Sequence, residues 1–157
     1  MKDLEFKTTI LLAQMKELTV TEQTLLQKAI ESTHHSYAPY SHFHVGAALL
    51  LGNGEIVLGC NQENASFPAG ICAERSAIFA AGAKYPDEPV VMLAIAARNS
   101  LGELLDDPIS PCGICRQVIL ETESRFNQPI RILLYGHKHI YVIDSIKQLM
   151  PLSFSEF

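Results

Sequence analysis

The sequence predicts an α/β protein: a three-layer α/β/α sandwich around a mixed five-stranded sheet. Three observations predict it. Strand-like and helix-like segments follow the order α-β-β-α-β-α-β-β-α. The segment "VVMLAIAA", residues 90–97, is apolar throughout, as a strand covered on both faces is. Helices separate the later strands, which calls for crossover connections and so for some parallel pairing. At 157 residues the chain is long enough for one real core and reads as a single domain, residues 1–157.

Residues 1–18 are an N-terminal extension to which no role is assigned. Leu4, Phe6, Thr8 and Ile10 alternate like a strand, while Leu11, Leu12, Met15 and Leu18 fit a helix, so both readings stay open. From Thr19, "TVTEQTLLQKAIEST" predicts a helix. Thr19 and Glu22 fit a capping box, and Val20, Leu25, Leu26, Ala29 and Ile30 form an apolar stripe. "HHSYAPYSHF" is a loop broken by Pro39. "FHVGAALLL", "GNG" and "EIVLGC" read as a hairpin, followed by the polar loop "NQENASFPAG". "CAERSAIFAAGA" is an Ala-rich helix ending near Gly82. After the buried strand, "CGICRQVILETE" is a helix, "IRILLYG" and "HIYVI" are strands, and "DSIKQLM" is a short last helix stopped by Pro151.

Composition excludes several functions. A net charge of −5 with scattered Lys and Arg leaves no electrostatic footprint for a nucleic acid partner. The run at 90–97 is far below a membrane span. The N-terminus lacks signal-peptide form, so a cytoplasmic location is expected.

The chemistry lies in cysteine. Cys60 reads as an apolar strand-end residue, but Cys72, Cys112 and Cys115 have ligand spacing. Ser110 is expected as an N-cap with Pro111 as first helical residue, which puts Cys112 and Cys115 on one face of a first turn. Cys72 is expected in the first turn of the other helix, after Gly70. Two converging helix N-termini favour thiolate, and three sulfur ligands leave a fourth zinc position open, the catalytic pattern. Glu74 lies two residues past Cys72. At a first turn its carboxylate can take a proton from a metal-activated water without ligating the metal. Three thiolates on Zn²⁺ leave excess negative charge; Arg75 and Arg116, each next to a motif residue, could donate to the sulfurs. Cys112 and Cys115 alone would also fit a dithiol redox pair.

Cys-x-Glu with Pro-Cys-x-x-Cys is the signature of zinc-dependent nucleobase deaminases. From about Tyr37 to Phe154 the chain resembles the cytidine deaminase family, the small homotetrameric type. The likeness rests on "YSHFHVGAALL", "GCNQENASFPAGICAERSA", "SPCGICRQV" and "LMPLSF". The resemblance implies hydrolytic deamination of cytidine and 2′-deoxycytidine, a pyrimidine-salvage reaction releasing ammonia. It implies Cys72, Cys112 and Cys115 as zinc ligands and Glu74 as proton shuttle. It also implies Asn61 and Glu63 on the ribose hydroxyl, Phe43 lining the base pocket, the Ala73 main chain at the base edge, and Arg75 on the sulfurs. Phe67 and Phe154 match positions that reach into a neighbouring subunit.

By their residue types alone, Asn61 and Glu63 fit either turn formation, the commoner use, or a sugar hydroxyl, which both donates and accepts, and Phe43 reads as core. The six histidines read as solvated loop residues outside the site. The alternatives are a related deaminase acting on blasticidin S or another substrate, and a non-catalytic module braced by zinc.

Overall fold

The computed structural model describes residues 1–155. Six strands form one mixed sheet: β1 (Leu11–Ala13), β2 (His44–Leu51), β3 (Ile56–Cys60), β4 (Val90–Arg98), β5 (Arg131–Leu134) and β6 (Ile140–Ile143). Their spatial order is β1-β6-β5-β4-β2-β3. Among the strands of the described residues, β4 and β5 pair in parallel, as their intervening helix requires, and the other neighbours pair antiparallel. Three helices cover the sheet: α1 (Val20–Ser32), α2 (Ala73–Lys84) and α3 (Gly113–Phe126).

Strand β4 shows why its sequence is apolar throughout. Ala94 and Ala96 face one core with Leu25, Leu26 and Ala29 of α1. Leu93, Ile95 and Ala97 face the other with Ala77 of α2 and Ile119 of α3. Two helix layers on one alternating strand make the three-layer sandwich expected. Contact is closest where glycine removes a side chain. A Cβ on Gly59 would sit 2.4 Å from the Ala73 carbonyl oxygen, so the start of α2 lies directly on β3.

Buried carboxylates tie the layers. Glu123 of α3 accepts from Ile130 N (2.9 Å), Ile146 N (3.0 Å) and Ser145 Oγ (2.8 Å). Glu22 of α1 accepts from Arg131 Nε of β5 at 2.6 Å. Among the described residues, no helix is long and apolar enough to cross a membrane.

The sheet has six strands, not five. Strand β1 comes from the N-terminal extension and pairs antiparallel with β6, Leu12 opposite Tyr141. Leu11 and Leu12 stay 52% and 66% exposed, so its side chains carry no burial pattern to read. Backbone pairing with β6 places it there. Thr8 Oγ1 donates to Gln148 O, and Gln148 Nε2 donates to Thr9 O, fastening the extension to the C-terminal region. The expected last helix is a 3-10 turn, Ile146–Leu149, held by bonds such as Met150 N to Lys147 O.

Candidate active site

Cys72 and Cys112 are the N-cap residues of α2 and α3, with extended backbones (ψ 157° and 165°) and no side-chain cap bond. This corrects the expected helix starts. Ser110 is not the cap, Pro111 lies outside the helix, and Cys72 lies just before the first turn. The extended backbone leaves each sulfur outside the helix's own hydrogen bonding. Cys115 is buried in the first turn of α3.

The Sγ atoms of Cys72, Cys112 and Cys115 lie within 4.8 Å of one another, and that of Cys72 is 3.9 Å from that of Cys112. Zinc–sulfur bonds of about 2.3 Å in a tetrahedron put sulfurs about 3.8 Å apart, so the cluster fits zinc. No histidine joins it among the described residues.

The electrostatics agree. A hydrogen bond from Cys115 is the main cause lowering the Cys72 thiol to about 5; burial opposes it, and Arg75 and Cys112 assist. The same hydrogen bond, then burial and the charge of Glu74, push the Cys115 thiol up. Crowded thiols thus resist ionising together, and a divalent cation resolves that conflict. The Arg75 guanidinium faces Cys72, with Nη2 3.9 Å from Sγ. Its buried Nε has no hydrogen-bond partner among the described residues.

Arg116 does not turn to the sulfurs. It donates to Pro111 O (2.9 Å), Leu149 O (2.8 Å) and Ser110 Oγ (2.9 Å).

A cavity of about 740 Å³ opens beside the cluster. Its wall includes Phe43, Asn61, Glu63, Phe67, Ala73 and Glu74, as well as Cys72, Arg75 and Cys112. Glu74 is 5% exposed, and burial above all, with the Cys72 charge adding, raises its pKa above the usual carboxylate value.

Asn61 and Glu63 of "NQEN" bond to nearby backbone and also line the cavity. Asn61 Oδ1 accepts from Val45 N at 2.8 Å and Nδ2 donates to Phe43 O at 2.9 Å. Glu63 accepts from Tyr40 N (2.9 Å), Ser41 N (3.2 Å) and the Ser41 hydroxyl. The Ser41 hydroxyl is the main cause holding the Glu63 carboxyl below its usual range. Both side chains are thus anchored on one side and line the cavity on the other. Phe43 likewise packs on the core and lines the wall.

Phe67 is 73% exposed and meets Tyr40 edge-on, ring centroids 5.6 Å apart. Phe154 is 66% exposed, does not line the cavity, and its carbonyl accepts from Gln117 Nε2 at 2.8 Å. Sequence reasoning missed Tyr40, Ser41, Ile109 and Ser110, which also line the cavity. Their loops carry no periodic signal, and the partners of Tyr40 and Ser41 lie far along the chain.

A family model, the cytidine and deoxycytidylate deaminase zinc-binding region, matches residues 19–127. Cytidine deaminase from Halalkalibacterium halodurans is 42% identical over 99 residues, 63% of this chain and 70% of that protein. Cytidine deaminase from Sporosarcina psychrophila is 35% identical over 136 residues, 85% of this chain and 91% of that protein. The crystal structure of cytidine deaminase from Burkholderia pseudomallei superposes with a TM-score of 0.73 at 34% identity, covering 87% of this chain and 100% of that one.

Proposed function

This chain belongs to the cytidine and deoxycytidylate deaminase family, and from that membership we propose how its own residues deaminate cytidine and 2′-deoxycytidine hydrolytically. The observation that carries the reading is the convergence of three sulfurs from two helix ends, with Cys72 and Cys112 lining the same cavity as the buried Glu74.

Cys72, Cys112 and Cys115 would hold zinc. When bound, zinc supplies a Lewis acid that makes water acidic enough to attack at neutral pH. Glu74, buried in the cavity wall with its pKa raised by that burial, is placed to exchange a proton with the attacking water. It takes one from the attacking water and places it on N3 of the pyrimidine; it then takes the proton of the new C4 hydroxyl and gives it to the departing amine, leaving a C4 carbonyl. Water adds to C4, the C4–N bond breaks, and uridine or 2′-deoxyuridine leaves with ammonia.

Asn61 and Glu63 bind the ribose hydroxyl through the capacity their backbone bonds leave. Phe43 walls the base, and the Ala73 main chain meets its polar edge. Arg75 offsets the sulfur charge. The exposed rings of Phe67 and Phe154 reach neighbouring subunits of a homotetramer. The chain works as one domain, residues 1–157, in the cytoplasm, on nucleosides rather than nucleic acid.

Turnover of cytidine and metal content are measured on the same sample. About one zinc per chain and loss of the cytidine absorbance are expected. Glu74→Gln keeps zinc and loses roughly 10²-fold or more in rate. An active Glu74→Gln enzyme removes the proton-shuttle role. A zinc-loaded chain inert toward every pyrimidine nucleoside makes the metal a brace.

A further inference from the structure

Cys112 is an exposed metal ligand at an extended N-cap with no side-chain cap bond, so something else must fix it. Arg116 is one turn away and brackets it. The Arg116 backbone N–H donates to Cys112 O at 2.9 Å. Its side chain donates Nε to Pro111 O, the carbonyl on the other side of Cys112, at 2.9 Å. Both peptide groups flanking the Cys112 Cα are therefore held by one residue.

The other two guanidinium contacts anchor that bracket. Nη2 donates to Ser110 Oγ and Nη1 to Leu149 O, at the end of the 3-10 turn Ile146–Leu149. The start of that turn is pinned in turn by Glu123 through Ile146 N. A planar guanidinium presents these three donors in one rigid fork, which a lysine ammonium cannot reproduce.

We propose that Arg116 is a positioning residue: it sets the backbone at Cys112 so that its sulfur meets those of Cys72 and Cys115, and thereby retains the metal. This rests on the metal-centre reading above. It assigns Arg116 to geometry, while Arg75 faces the sulfur charge.

Arg98 provides a matched control. It also makes three side-chain bonds, to Thr33 Oγ1 (2.8 Å), Gly102 O (3.0 Å) and His34 (3.1 Å). None of these partners lines the cavity or adjoins a metal-ligating cysteine.

The test follows zinc release from the loaded, full-length protein to a chromogenic chelator, for wild type, Arg116→Gln, Arg116→Lys and Arg98→Gln. Release from Arg116→Gln is expected to be roughly tenfold faster or more, the usual scale for losing a group that orients a metal ligand. Arg116→Lys falls closer to Gln than to Arg, and Arg98→Gln stays near wild type. Cobalt substitution adds a signature: sulfur-to-metal charge-transfer bands shift in Arg116→Gln and not in Arg98→Gln. With excess zinc, kcat recovers and KM does not move.

Equal release rates for Arg116→Gln, Arg98→Gln and wild type overturn the proposal. So does a fall in kcat at unchanged zinc retention, which would put Arg116 on the reaction itself. If Arg116→Gln does not fold, Arg116→Lys decides: wild-type retention there overturns the proposal, faster release supports it. A wild-type chain that takes up no zinc defeats the metal-centre reading, an outcome distinct from these.

Discussion

Helix α1 and the helices α2 and α3 begin in opposite ways. The Thr19 hydroxyl accepts from Glu22 N at 3.3 Å, and the Glu22 carboxylate accepts from Thr19 N at 2.8 Å, closing a reciprocal box. Cys72 and Cys112 occupy the same N-cap position in α2 and α3 and make no such bond. At α1 the first-turn donors are satisfied from within the helix, which stabilises it locally. At α2 and α3 the side chains turn outward to each other, and the helix ends keep their partial positive charge for sulfur and ligand. One backbone position thus serves stability in one layer and chemistry in the other.

The sharpest way to break the contrast is to give α3 a proper cap. Cys112→Ser is expected to lose zinc and at least about 10²-fold in cytidine turnover, because a serine hydroxyl is a poor zinc ligand. The zinc-free variant should melt no lower than zinc-free wild type, since serine is a favoured cap. Metal analysis, turnover and thermal melting of the same preparations check all three.

Glycine contacts separate the two layers next. A Cβ at Gly59 meets the start of α2, 2.4 Å from Ala73 O; one at Gly46 meets the end of α1, 2.1 Å from Ala29 O. Gly59→Ala and Gly46→Ala are each expected to cost about 1–3 kcal/mol by overpacking. Only Gly59→Ala should also weaken zinc retention, since Cys72 adjoins the displaced Ala73. Equal zinc retention in the two variants would mean α2 tolerates the shift.

Thr19→Ala removes the α1 box and is expected to cost about 1 kcal/mol, with kcat/KM unchanged. Denaturant midpoints and steady-state kinetics measure the two halves of that statement.

The smallest effect is in acid. Burial raises the Glu22 pKa, but hydrogen bonds from Arg131 and Thr19 outweigh it, so the carboxyl lies below its ordinary 4.5. A carboxyl depressed in the folded state stabilises the fold above its unfolded pKa. That contribution fades as pH falls through the folded value. Glu22→Gln should therefore flatten the stability profile below about pH 4.5 while leaving the neutral-pH activity in place. A profile of unchanged steepness would show that other carboxylates govern acid unfolding.

What was legible in the sequence was local or chemically restrictive. The box of Thr19 and Glu22 spans a single turn, so residue identity alone reveals it. Strand β4 alternates between two buried faces, and its unbroken apolar run announces that. Cysteine and glutamate at the motif spacing have few other uses together, so the three cysteines that cluster closely enough to hold a metal could be named before any coordinates.

Other features had no local signal. Strand β1 exposes its leucines and is set by the open edge of β6, whose partner pattern lies at the far end of the sequence. Arg116 sits beside a ligand, which made the sulfurs its obvious target; its actual acceptors include the Leu149 carbonyl, 33 residues on. Ser41 and Tyr40 matter because Glu63 is brought to them.

The sequence by itself determined which atoms could perform the chemistry: three sulfurs and a carboxylate, with Arg75 beside them. It also determined the layering, because apolar periodicity follows from which faces are buried. Only the tertiary structure decided the sixth strand, the extended caps at Cys72 and Cys112, and the acceptors of Arg116 and Glu63. The physical reason is that hydrogen bonds to backbone carbonyls and amides ignore residue identity. Nearly every position offers the same donor and acceptor, so their pairing is settled only when the chain has folded.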